Sequence, residues 1–469
     1  MMTLEASIAV NRFGLGATTA DVARAGSDPR GWLNDQISNP SAFLLPVRNL
    51  PTSAQAGASL TAYLASRRQA RTAAPDPAGS PSMSEQAQMA AVVQPLRQLN
   101  QAAYRDVAAR VSHGLTTETG FAERLVYFWS NHFTVAATKA QTIPFVGPFE
   151  REAIRPHLTG SFADLLIAAI QHPGMLLYLD QVQSTGPNSQ IGQRRDGGLN
   201  ENLAREILEL HTVGVHAGYT QDDVIEFARA LTGWVLAGER TQRFMPQAEP
   251  GAFVFLAAMH EPGARTVLGV RYPEGGVDQG LGILRDLARR PATARHVATK
   301  LARHFVADTP PAELVAHLEG VYLQTEGDLP SLHRALVTHD AAWRPEQQKL
   351  KTPNEFLLSA MRLTGQTRPD SRALLQTYQT LGQPPFRAPS PAGWPDDAAS
   401  WSGPDALMKR IEWAQAYAEG VTLSQRPEDI AAAALGSLFS DASRQSVRRA
   451  ESPSQGLVLA LMSPEFQRR

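Results

Sequence analysis

Residues 200–234, NENLAREILELHTVGVHAGYTQDDVIEFARALTGW, read as two helices joined by a glycine-bearing turn. Leu203, Ile207 and Leu210 recur at helical spacing, and Ala204 and Leu208 widen that stripe. Asn200 is placed to cap the first helix and Gly214 to end it. A short polar side chain can accept from the free N–H groups, and glycine tolerates the left-handed exit. Thr220 and Asp223 form a capping box for the second helix, whose packing face is Phe227, Leu231 and Trp234.

The opposite arc of the first helix carries Glu201, Asn202, Arg205, Glu206 and Glu209. Glu201 and Arg205 are four apart, as are Arg205 and Glu209, which favours ion pairs along the surface. Two readings stay open. The arc is a solvated, salt-bridged face, or it is a covered carboxylate cluster in which mutual repulsion raises one pKa and separates acid from base. His211 falls on the apolar arc and reads as a core histidine.

Outward from this pair the pattern stays helical. Toward the N-terminus, FAERLVYFWSNHF (121–133) puts Leu125, Val126, Trp129 and Phe133 on one face. His132 sits at the edge of that face, as a packed histidine or a catalytic candidate. Pro148 suits the first position of the next helix, and Arg155 and His157 flank a proline at its end. Ser161 with Asp164 caps FADLLIAAIQH. Residues 181–198 are polar and aperiodic, a length of loop that is usually functional or disordered. The first 115 residues read as helices around a flexible linker near 75–84, and Pro95 is expected to kink or split its helix.

Toward the C-terminus, GAFVFLAAMH and RTVLGVRY flank Glu261-Pro262-Gly263 and predict one β-hairpin near 251–273. Helices resume to about 365, including one opened by the box Thr352-Pro353-Asn354-Glu355. A Pro-rich loop and further helices fill 366–469. The fold class is therefore mostly α, a multi-helix globular domain with one minor hairpin. Its segments fall at 1–115, 116–365 and 366–469, within one continuous domain.

The chain of 469 residues is 43% hydrophobic and 19% charged with a net charge of -1, so it has no basic excess for nucleic acid. It has no cysteine, which excludes disulfides and thiolate sites. No apolar run is long enough to span a bilayer, and the N-terminus lacks signal-peptide order, so a soluble cytoplasmic protein is expected. HExxH spacing, an EF-hand, a P-loop, GxGxxG after a strand and a GxSxG elbow are all absent, so neither metal nor cofactor is signalled.

An ordered set of segments resembles a bacterial family known as domain of unknown function 1800. The segments are NRFGLGAT, ERLVYFWSNHFTV, FEREAIRPHLTGSFADLLIAAIQHPGMLLYLD and the opening stretch, followed by HEPGARTVLG, PATARHVATKLARHFVAD, KLKTPNEFLLSAMRLTG and PAGWPDDAASWSG. At His260-Glu261 the chain departs from that pattern, where Asp follows the His. The resemblance implies a mostly helical fold and no settled activity. It also implies a partner from a neighbouring exported family, domain of unknown function 1501, and hence periplasmic or exported placement as the alternative. Carried across by motif, the positions of interest are Trp129, His132, Arg155, His157, Asn200, Glu201, Asn202, Arg205, Glu206, Glu209 and Trp234.

Two functions follow from this reading. The first is an accessory or scaffold protein for an exported partner. The second is a hydrolase or lyase acting on a glycan or other polar polymer. In the second, Glu206, Glu209 and His132 are catalytic. Asn202, Arg205, Glu201, Arg155 and His157 then position substrate, and Trp129 and Trp234 stack on sugar rings.

Overall fold

The structure is a computed structural model that describes residues 2–72, 83–194, 198–215, 217–238 and 241–469, with side chains left out for 70–72 and 83–92. Residues 75–82 of the expected linker lie outside the described residues. The described chain is mostly α-helical, with two small antiparallel sheets. No described helix is long and apolar enough to cross a membrane.

Helix Gly120–His132 runs through the core. Phe121, Leu125, Val126 and Trp129 are all fully buried along it. Phe121 meets Phe13 at 5.8 Å and Phe305 at 5.6 Å between ring centres, and Phe13 meets Trp343 at 5.0 Å. One aromatic cluster thus joins positions 13 to 343 and crosses the division expected at 115/116. Each such ring contributes roughly 1.5–3 kcal/mol by leaving water. Helix Met83–Thr116 runs through Pro95 unbroken, so the expected split does not occur. One missing donor is outweighed by the buried stripe Leu99, Ala103, Val107, Val111 and Leu115, spaced at four residues.

The capping signals are realised. Thr220 with Asp223 and Thr352 with Glu355 form both halves of their boxes, and Ser161 accepts from Asp164 N at 3.1 Å. The opening helix differs from its sequence reading. Its α-helical part is Asn202–Glu206, and Ile207–His211 is π-helical. Asn200 is therefore not the cap residue; its side-chain oxygen accepts from Asn202 N at 2.9 Å, an Asx turn leading into the helix. Thr212 Oγ1 donates to Ile207 O at 2.7 Å and supports the widened turn. Pro148 likewise ends a short turn, Val146–Pro148, rather than starting the next helix, because Phe149–Ile154 is also π-helical.

The expected hairpin is replaced by two. β1 (Trp234–Leu236) pairs with β2 (Phe253–Phe255), and β3 (Arg265–Val267) pairs with β4 (Val270–Tyr272). Leu268 at φ 50 and Gly269 at φ 78 make a two-residue turn with both residues left-handed, the geometry that matches strand twist. Residues 265–272 therefore close on themselves. That leaves 253–255 to pair with the strand that follows helix Gln221–Leu231. Glu261 is buried and anchors the polar loop instead, accepting from Asn188 N at 2.8 Å and Asn188 Nδ2 at 2.5 Å.

Candidate functional site

The structure gathers Glu201, Asn202, Arg205, Glu206 and Glu209 on one partly exposed face. Arg205 Nη2 donates to Glu201 Oε2 and Gln221 Oε1, both at 2.9 Å, and Gln221 Nε2 donates to Glu201 Oε2 at 2.7 Å. The Tyr219 hydroxyl hydrogen-bonds Glu209. Burial, then the Glu209 charge, pushes the Glu206 carboxyl up. None of the three principal cavities is lined by these five residues.

The other predicted positions lie apart from that face. Trp129 and Trp234 are 0% exposed, so neither ring offers a surface to a sugar. Trp129 Nε1 donates to His333 Nε2 at 3.1 Å. His132 is buried, with Nε2 3.1 Å from the His211 carbonyl oxygen, and burial holds it well below the ordinary histidine pKa. Arg155 sits in a buried ion network with Glu123 and Glu150, and His157 shares its short 3-10 turn. Because Glu206 and Glu209 are half-exposed, Glu206→Gln and Glu209→Gln are expected to leave stability within ~0.5 kcal/mol in urea unfolding. For Glu206 the sign at neutral pH is neutral to favourable, since a raised carboxyl pKa means the fold disfavours the ionised form.

A different set of residues meets at a cavity of about 110 Å³. Helix Pro291–Phe305 brings His304, helix Gly120–His132 brings Arg124 and Asn131, helix Pro353–Leu363 brings Glu355, and the loop after residue 384 brings Trp394 and Asp396. His304 Nδ1 lies 2.8 Å from Asp396 Oδ2. The second carboxylate oxygen of Asp396 is 3.1 Å from Lys349 Nζ, which also pairs with Asp308 at 2.6 Å. Glu355 pairs with Arg124, and with Arg469 at 2.9 Å. Among the residues that line the cavity, two buried side-chain atoms have no hydrogen-bond partner, His304 Nε2 and Arg124 Nε.

The loop that carries Asp396 is held rigidly. Trp394 N donates to Asn131 Oδ1 at 2.8 Å, and Asn131 Nδ2 donates back to the Trp394 carbonyl at 3.0 Å. Ala398 N donates to Asp308 Oδ2 at 2.7 Å. Gly393 has φ +86, and a Cβ there would lie 2.5 Å from Asn131 O, so only glycine lets the two backbones approach.

Burial pushes His304 down more than Asp396 pushes it up, so the imidazole is neutral at pH 7. Burial raises the Asp396 carboxyl, but His304 and Lys349 outweigh it and hold it far below the ordinary range. The same contest at Glu355 is won by Arg124 and Arg469, which bring it to about 2. Both carboxyls are therefore ionised, and the one neutral base in the cavity is His304. Among the described residues no group of three or more His, Asp or Glu is placed to hold a metal ion.

A family model described as protein of unknown function (DUF1800) matches residues 8–468. The chain belongs to that family. No curated protein and no solved structure matches it. In this DUF1800 chain, five of the segments quoted above for the resemblance reach the His304 cavity, contributing Leu15, Arg124, His304, Glu355 and Asp396 among others. Sequence reasoning missed the site. His304 and Asp396 are 92 positions apart, and Glu355 reads only as a capping residue. The available signal was the loop PAGWPDD, whose aperiodic sequence carries a Trp and two Asp.

Proposed function

We propose that this DUF1800 chain is a hydrolase that uses His304 to activate water against an ester-type bond in a polar substrate. One observation carries the reading: an imidazole fixed through Nδ1 by Asp396, with Nε2 unpartnered, lining a mainly apolar cavity that also holds Arg124 and Glu355. With Asp396 accepting the Nδ1 proton, Nε2 is the basic nitrogen, and it takes a proton from water as oxygen attacks the carbonyl carbon. The displaced electron pair gathers on the carbonyl oxygen, where the Arg124 guanidinium supplies positive charge and an uncommitted N–H. Asp396 stabilises the imidazolium, which returns its proton to the departing alkoxide.

The same charges argue against glycosidic cleavage in this cavity. A glycosidase needs one carboxylic acid that stays protonated, and both carboxyls here are ionised.

His304→Gln is expected to lower turnover of p-nitrophenyl acetate and of acetylated polysaccharides by roughly 10²–10⁴-fold, the usual worth of a general base. Glu206→Gln serves as the control and keeps the wild-type rate. The wild-type rate should hold through pH 6.5, where an ordinary histidine is already half protonated, and fall only at lower pH, because the base must be unprotonated and burial lowers its pKa. Equal rates for wild type and His304→Gln, or turnover of glycosides that depends on Glu206, would overturn the assignment.

A further inference from the structure

We infer that a second, larger cavity binds a long-chain anionic amphiphile, a fatty-acid-type carboxylate held by its head group and acyl tail. The cavity is about 960 Å³, near the top of the range for small-molecule sites. It is separate from the His304 site and shares no lining residue with it.

Its walls are fixed before any ligand arrives. One is helix Ser53–Thr72, sewn to the 250–251 turn by a backbone crossing. A Cβ on Gly57 would lie 2.4 Å from Pro250 O, and one on Gly251 (φ +82) 2.5 Å from Gly57 Cα. The facing wall is the polar loop, which Glu261 pins through Asn188.

The lining decides the ligand class. Leu64, Leu177, Val182, Ile191, Leu236 and Met259 make most of it apolar. Thr241 spends its hydroxyl on the local backbone, donating to Gly238 O at 3.1 Å and accepting from Gly238 N at 2.9 Å. Gln141, Gln183 and Thr185 add further polar groups, but the apolar majority suits hydrocarbon better than a sugar, which presents hydroxyls on every side. Among the described residues the charged lining is all of one sign. Arg67 and Arg243 are exposed at the cavity, Arg68 lies beside them, and no Asp or Glu lines it among the described residues. Guanidinium groups beside an apolar trough match a carboxylate at one end of an acyl chain.

Calorimetric titration of the full chain with dodecanoate, below its micelle concentration, tests this. One saturable site per chain is expected, with much weaker binding of dodecyltrimethylammonium and dodecyl maltoside. The double variant Arg67→Gln/Arg243→Gln alters only exposed side chains and should keep the wild-type melting temperature. It should weaken dodecanoate by about tenfold or more, the usual loss for charged hydrogen bonds. Ala237→Trp, which places an indole in the cavity beside Leu236 and Gly238, should weaken binding. Equal affinity for the cationic or neutral amphiphile overturns the inference, as does unchanged affinity in the double variant. Failure to saturate with dodecanoate, even with sedimentation on anionic vesicles, overturns it too.

Discussion

Arg155→Met is expected to destabilise the protein by about 3–5 kcal/mol, the loss seen when one partner of a buried ion pair is removed. Arg155 is 1% exposed and makes five hydrogen bonds. Nη1 and Nη2 grip the two oxygens of Glu123 at 2.7 and 2.8 Å, Nη2 also reaches Glu150 Oε1 at 2.7 Å, and Nη1 reaches the Phe43 carbonyl at 3.0 Å. Glu123 is 0% exposed. Burial alone would push the Glu150 carboxyl up, yet Arg110 and Arg155 bring it down to about 2. Without the guanidinium, the contact left to Glu123 within ion-pair distance is His113, at 3.4 Å, which burial keeps neutral, and the Arg110 charge acts only from farther away. The carboxylate must then protonate or the core must open. Urea unfolding checks the size of the effect. A second variant separates the ion network from simple loss of packing. Arg155→Met with Glu123→Leu removes the stranded charge and should recover more than half of the loss. A stability change below 1 kcal/mol in the single variant would overturn this structural role for Arg155.

Stability should also fall steeply as pH drops below 6.5. His211 and His333 are 0% exposed, and burial lowers both to about 3. Lys300 adds to the effect on His211, and Asp328 partly opposes it on His333. The sign follows from proton counting. Below pH 6.5 the unfolded chain protonates both rings, while the folded chain does not until about pH 3. The unfolded state therefore binds more protons, and stability is lost as pH falls. Each ring contributes about 1.4 kcal/mol per pH unit, so the two together remove roughly 4 kcal/mol by pH 5. His132 and His296, also lowered, act in the same direction. Denaturant midpoints at pH 7.5, 6 and 5 read this directly. His211→Leu keeps the volume and removes one titrating group, so its stability should depend less on pH by about one proton. An unchanged slope would show that His211 is protonated in the fold.

The legible parts of this chain are those governed by near neighbours in sequence. The capping pairs Thr220–Asp223, Ser161–Asp164 and Thr352–Glu355 work across three residues, and each forms as read. The apolar spacing of 121–133 marked a core helix, and the wheel correctly turned His211 inward. The carboxylate face of 201–209 was legible as a face for the same reason. Its partner Gln221 was not, because that bond spans 20 positions.

Errors arose where a local signal competed with a distant one. Glu261-Pro262-Gly263 looks like a hairpin turn, yet Leu268-Gly269 closes the strands and Glu261 reaches back 73 residues to Asn188. Trp129 and Trp234 carry the same letters whether they stack on ligand or fill a core, and only neighbours from other segments decide which. The π-helical turns left no periodic trace either, since one extra residue shifts the phase without changing composition.

By itself, then, the sequence determined a cysteine-free, mostly helical chain, its main capped helices and the polar arc at 201–209. Those follow from hydrogen bonds and apolar periodicity within a few residues. Only the tertiary structure decided which polar groups share a cavity. His304, Asp396, Arg124 and Glu355 come from segments up to 272 positions apart (124 to 396), and their meeting depends on how buried helices pack. The pKa values that make His304 a neutral base depend on that packing too, because burial and partner charge are properties of the assembled site.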